Sequence, residues 1–278
     1  MVVLLALGSA LAYGLSDFVA GLLSRRTGVW SVAVVSQVTS TLCTTLVAWR
    51  VPGDPVAVDW VWGAVAGGGS GVGTVFLYRG LARGRMGVVA PLSAVGAALV
   101  PVLVGLVAGE RPDALTWLGV ACAFPAIWLI SRSPSGAGCT VRRASGVVDG
   151  IVAGLGFGVL FAALGQVPDS AGLGPLALTQ GASVVVIVAI AIVAGGDWRP
   201  RDRFAALGAT AGLLGAAATG LFLLATHAGL LTIAAVLSAL YPATTVLLAA
   251  GLLHERIHRA QGWGLLLAAT AVGLVAAG

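Results

Sequence analysis

Asp17 lies in AYGLSDFVAG (12–21), an apolar run with no basic residue beside it until Arg25. A carboxylate in such a segment is costly to charge, so it sits at a helix end, carries a proton or serves a function. Facing a cavity, it would exchange a proton or hold a cation. At a helix end, it would pair with Arg25 or Arg26 of the following SRR. Gln37 and Gln180 pose a similar question, each near the middle of an apolar run. An amide there offers donors and an acceptor to a polar solute, or ties neighbouring helices together. Tyr13, Phe157 and Tyr241 are aromatics within apolar runs; such rings wall a pocket, stack on an aromatic or cationic ligand, or pack against neighbours.

The elements that must position these residues follow from composition. Hydrophobic residues make up 59% of the chain and charged residues 9%, with a mean hydropathy of +1.03. A soluble domain carries about 25% charged residues, so the solvent for most of this chain is lipid. The fold class read from this is an all-α integral membrane protein. With ~20 apolar residues per crossing, ten spans are expected, near 2–23, 29–49, 59–79, 86–108, 114–131, 146–165, 173–195, 204–226, 231–253 and 260–277. The apolar amino terminus has no basic n-region and reads as the first span, not a cleaved signal.

All fifteen basic residues are Arg, grouped between apolar runs. That distribution is topogenic and does not point to a nucleic-acid partner. Cys43, Cys122 and Cys139 form no metal or disulfide pattern. Walker A, H-E-x-x-H and G-x-S-x-G sequences are absent, so no ATPase, zinc protease or serine hydrolase is supported. No cofactor, metal or catalytic residue is expected.

The chain repeats itself. A shift of 145 residues lays PLSAVGAALV (91–100) on VLSALYPATT (236–245) and AGERP (108–112) on LHERI (253–257). It pairs Ser93 with Ser238, Gly67 with Gly212, Thr74 with Thr219, Glu110 with Glu255 and Arg111 with Arg256. A shift two residues smaller pairs Gln37 with Gln180, and Tyr13 aligns with Phe157. Asp17 has no acidic counterpart. Two five-helix repeats are expected, 1–131 and 146–278, joined by a loop at 132–145. An odd number of crossings inverts the second repeat and sets a solute site near mid-membrane between the halves.

Ten spans in two halves, with LSALYP (237–242), HER (254–256) and Gln261-Gly262, resemble the EamA-like members of the drug/metabolite transporter superfamily. The first half departs from that pattern: Ala97 stands where Pro242 would predict a proline, and the second span, SVAVVSQVTS, lacks an arginine that members often carry. The resemblance implies transport of small metabolites or drugs, often export, without ATP hydrolysis. The alternative is a membrane receptor or scaffold that moves nothing.

Candidate substrate-binding or coupling residues are therefore Asp17, Tyr13, Gln37, Thr74, Phe157, Gln180, Thr219 and Tyr241. Pro91, Pro101 and Pro242 are candidate hinge or gate positions. Glu110–Arg111 and Glu255–Arg256 read as ion pairs that hold turns. The expected partners are a small-molecule substrate and the bilayer, with coupling to protons as a further expectation. Thirteen of the fifteen arginines fall beside the loops after the odd-numbered spans, which puts both termini outside the cytoplasm; the family resemblance implies the opposite.

Overall fold

The computed structural model describes residues 1–24, 26–82, 86–130, 140–252 and 257–278. Eleven α-helices carry the described chain: α1 (Val2–Ser24), α2 (Val29–Arg50), α3 (Ala57–Ala82), α4 (Met86–Val107), α5 (Ala114–Ile130), α6 (Thr140–Leu164), α7 (Gly174–Val193), α8 (Arg203–Ala228), α9 (Leu231–Ser238), α10 (Tyr241–Leu252) and α11 (Arg259–Ala277). Among the described residues, seven segments are long and apolar enough to cross a membrane, the α9–α10 pair counting as one. The expected count of ten is thus met only in part. Helix α5 is apolar but has 17 residues, about 26 Å of helix against a hydrocarbon core of ~30 Å. Helix α3 has 26 residues, but its GGGSGVG run keeps its hydropathy low.

Two boundaries differ from the sequence reading. Helix α6 begins at Thr140, inside the expected connecting loop. The apolar run starts at Gly146, whereas the helical backbone already includes the polar residues TVRRAS (140–145) before it. The ninth expected span is two helices, interrupted at Ala239 and Leu240. Pro242 lacks the N–H that would continue the ladder and disfavours helical geometry at the residue before it. Of the three prolines expected as hinges, only Pro242 coincides with a break. Helix α4 runs unbroken through Pro91 and Pro101.

Helices pair mainly across the two halves. Helix α3 packs on α6 and α7, α4 on α6, and α5 on α11; α1 packs on α8, α9 and α10, and α2 on α7 and α8. Exchanging the halves maps this set of pairings onto itself. Small residues make the approach close enough. A Cβ at Gly67 would lie 2.5 Å from the Thr179 carbonyl oxygen, and one at Gly212 would strike the Ser36 carbonyl oxygen. Gly63 and Gly208 likewise face the carbonyls of Pro175 and Val32. Hydroxyls stitch the same interfaces: Ser16 Oγ donates to Ala211 O (2.8 Å), Ser40 Oγ to Gly212 O (2.6 Å) and Thr179 Oγ1 to Gly63 O (2.9 Å). In α6, Gly150, Gly154 and Gly158 lie along α4, against Leu92, Gly96 and Val100.

Glu110 does not form the expected pair with Arg111, whose side chain is exposed. Its carboxylate accepts from the backbone N–H groups of Leu231 (2.5 Å) and Thr232 (3.0 Å), the first turn of α9. Those amides have no partner within their own helix, and the helix dipole favours a negative charge there. Neighbours in sequence lost to a helix end from the other half. Glu110→Gln should cost about 1 kcal/mol of stability, and Glu110→Leu more; denaturant unfolding in detergent measures both. The second expected pair, Glu255–Arg256, and residues 131–139 lie outside the described residues.

At the opposite membrane side, Asp202 caps α8 by accepting from Ala205 N (2.7 Å) and takes a further bond from Thr27 Oγ1 (2.7 Å). The Thr27 bond and then the Ala205 amide hold its pKa below the usual carboxylate value. A depressed folded-state pKa stabilises the fold above the unfolded value of ~3.9, and that contribution disappears as pH falls through the folded value. Asp202→Asn should therefore flatten the acid limb of the stability profile below about pH 4, as read by thermal unfolding across pH.

Candidate functional site: a cavity between the halves

A cavity of about 50 Å³ lies between the two sets of helices. Helices α1, α2 and α3 wall it from one side, and α6, α7, α8 and the start of α10 from the other. All eight residues expected to bind or couple line it: Asp17 and Tyr13 from α1, Gln37 from α2, Thr74 from α3, Phe157 from α6, Gln180 from α7, Thr219 from α8 and Tyr241 from α10. The helix break before Pro242 delivers Tyr241 there, and its hydroxyl lies 2.9 Å from Ser93 Oγ.

The walls are matched across the repeat. Gln37 faces with Gln180 and Thr74 with Thr219. A step of 144 residues along the chain carries Tyr13 to Phe157, Ser16 to Leu160 and Asp17 to Phe161, all six on the cavity wall. The position 144 residues after Asp17 holds a phenyl ring. One side of the cavity, α1, is polar, and its counterpart, α6, is apolar.

Asp17 has no hydrogen-bond or ion-pair partner among the described residues. The expected helix-end pairing with Arg26 is not made: Arg26 is exposed and lies over the Phe204 ring, 5.5 Å from its centroid. Arg25 is outside the described residues. Tyr13, Tyr78 and Tyr241 share the cavity with Asp17, and no described Arg or His lines it.

Hydrogen bonds within the wall fix how its polar groups face. Thr219 Oγ1 donates to Gly215 O (2.7 Å), so the Tyr13 hydroxyl, 3.1 Å away, donates to Thr219. Gln37 Nε2 donates to Ser70 Oγ (3.2 Å) and Ser183 Oγ (2.5 Å). Ser36 Oγ donates to Ala33 O (3.0 Å). The Tyr13 ring meets Phe161 edge-on at 5.7 Å, and Phe161 stacks on Phe222 at 4.3 Å. Both rings of the Phe pair are buried. Among the described residues no group of three His, Cys, Asp or Glu is placed to hold a metal.

The EamA-like transporter family matches residues 1–132 and, separately, residues 144–277. The chain belongs to the EamA-like transporter family. Membership makes it a multi-pass membrane protein of a family of transporters, whose usual location is the plasma membrane. Sixteen solved chains are similar in fold. One of them, described only as the crystal structure of a protein, superposes with a TM-score of 0.69 at 15% identity, over 96% of each chain. That likeness speaks for the fold alone. A search of curated proteins finds no match.

Sequence reasoning missed several cavity residues of this EamA-like chain: Tyr78, Ser16, Ser36, Ser70 and Phe161. Tyr78 carried a usable signal, being one of three tyrosines in the chain. Serines and phenylalanines in apolar helices carry none, since hydropathy does not tell which face of a helix they occupy.

Proposed function

We propose that the chain is a secondary active transporter that moves a small metabolite or drug by alternating access. Its two repeats, 1–131 and 146–278, cross the membrane five times each in opposite senses, with α9 and α10 together as one crossing. The observation that carries this reading is the cavity between the halves, walled by positions that correspond across the repeat. In inverted-repeat transporters the solute site lies at that interface, and rocking of one half against the other exposes it alternately. At Gly63 and Gly67 of α3 and Gly208 and Gly212 of α8 the helices meet carbonyl to glycine, a close approach that suits relative movement of the two halves.

Proton coupling runs through Asp17, the one carboxyl group among the described lining residues. The groups facing it from the other helices are the hydroxyls of Tyr78 and Tyr241, beside Tyr13 of its own helix. Export is the direction that the family resemblance implies. A receptor or scaffold would leave the cavity without a task.

The test is flux. The full chain is reconstituted in liposomes loaded with a metabolite extract, a pH gradient is imposed, and the contents are followed by mass spectrometry. Protein-dependent depletion of one or a few compounds, faster with the gradient, is the expected result. If no compound leaves faster than from protein-free vesicles, the transport reading is wrong.

A further inference from the structure

We infer that the solute of the central cavity is a small amine carried as its N–H-bearing ammonium ion, its charged head against α1 and its apolar body against α6. This rests on the transport reading and names the substrate class of that same site.

Charge is the first reason. Among the described lining residues Asp17 is the one carboxyl group, and it has no partner. An anionic or zwitterionic solute would bring a second carboxylate beside it, with no described Arg or His on the wall to offset the repulsion. A cation supplies the missing counter-charge, and the tyrosine and phenylalanine faces of the wall add to its attraction.

Hydrogen placement is the second. The hydroxyl hydrogens of Tyr13, Ser16 and Ser36 are directed at protein acceptors, as are both amide hydrogens of Gln37. What these groups turn to a solute is lone pairs: the Gln37 carbonyl, the hydroxyl oxygens and the Asp17 carboxylate. Beside Asp17 these groups suit a head that brings donors, while Gln180, Thr74 and Ser70 keep donors of their own toward the rest of the cavity. A primary ammonium brings three, whereas a quaternary ammonium has the charge but no N–H.

The third reason is the difference between matched walls. Tyr13, Ser16 and Asp17 stand where the other half has Phe157, Leu160 and Phe161. A solute with a polar head and an apolar body fits this gradient in one orientation. Size sets the scale: the cavity of about 50 Å³ corresponds to roughly three to five waters at ~10–15 Å³ each, the span of a short-chain amine.

Four small probes separate these features: isobutylamine, tetramethylammonium, valine and isovalerate. Equilibrium binding to the full chain in nanodiscs at pH 7, by titration calorimetry, avoids passive leak of the neutral amine. Isobutylamine should bind roughly tenfold to a hundredfold more tightly than each of the other three. Asp17→Asn should remove that preference, while Asp113→Asn, at the exposed start of α5, should leave it unchanged. The inference is overturned if valine or isovalerate binds as tightly as the amine, if tetramethylammonium does, or if none of the four binds. Should Asp17→Asn fail to fold, the probe ranking on the unaltered chain decides alone. The flux experiment reads separately: depletion of an anion or zwitterion keeps the transporter and discards the amine, whereas amine binding without any flux keeps the ligand and discards the transporter.

Discussion

Asp17→Asn is expected to lower solute flux on the order of a hundredfold or more while leaving the protein folded. Removing one member of a desolvated charge pair typically costs about 2–5 kcal/mol, and every 1.4 kcal/mol is a factor of ten. The fold is spared because the native carboxylate makes no hydrogen bond or ion pair among the described residues. Asn keeps the shape and has no proton to exchange, so the residual flux should also lose its dependence on a pH gradient. Proteoliposome flux measured with and without a gradient checks both effects. Normal flux with normal pH dependence would remove Asp17 from the mechanism.

The largest stability effect should come from Arg79. Its guanidinium pairs with Asp149 across the α3–α6 interface and lies over the Phe76 ring, 4.3 Å from the centroid. The Asp149 side chain is buried and that of Arg79 is about a third exposed, at 34%. Arg79→Met leaves the buried carboxylate without that cation, a loss of about 3–5 kcal/mol for pairs of this kind. Replacing both, as in Arg79→Met with Asp149→Leu, should recover most of it, since an apolar pair of similar volume is often as stable as a buried ion pair. Unfolding in detergent should therefore rank the single variant far below the double. A single variant within 0.5 kcal/mol of the native chain, roughly the spread of ordinary surface changes, would show that the pair is a bystander.

Helix content and the doubling of the chain were legible because both are written in patterns that survive low complexity. Apolar runs broken by arginines mark segments, and polar residues in a common order mark a repeat. The same repeat brought Gln37 with Gln180 and Thr74 with Thr219, which share the cavity wall. Asp17 was legible through its cost: a carboxylate in AYGLSDFVAG demands an explanation. The break between α9 and α10 was not, since both pieces are apolar and a hydropathy window passes over two turn residues. Glu110 was misread for another reason. Adjacency to Arg111 proposed a local pair, but its ligands are backbone amides, which have no signature in sequence. Ser16, Ser36 and Ser70 face the cavity through helix rotation, and glycine-rich helices with little amphipathic contrast give no way to read that rotation.

The pairing of helices across the halves bears on how the chain is made. Within the first half, contacts between consecutive helices are sparse; the extensive ones wait for α6 to α11. During synthesis, then, the helices of the first half are made before the surfaces that their glycine faces pack against. The extensive helix packing lies between the halves, so neither half completes its packing alone.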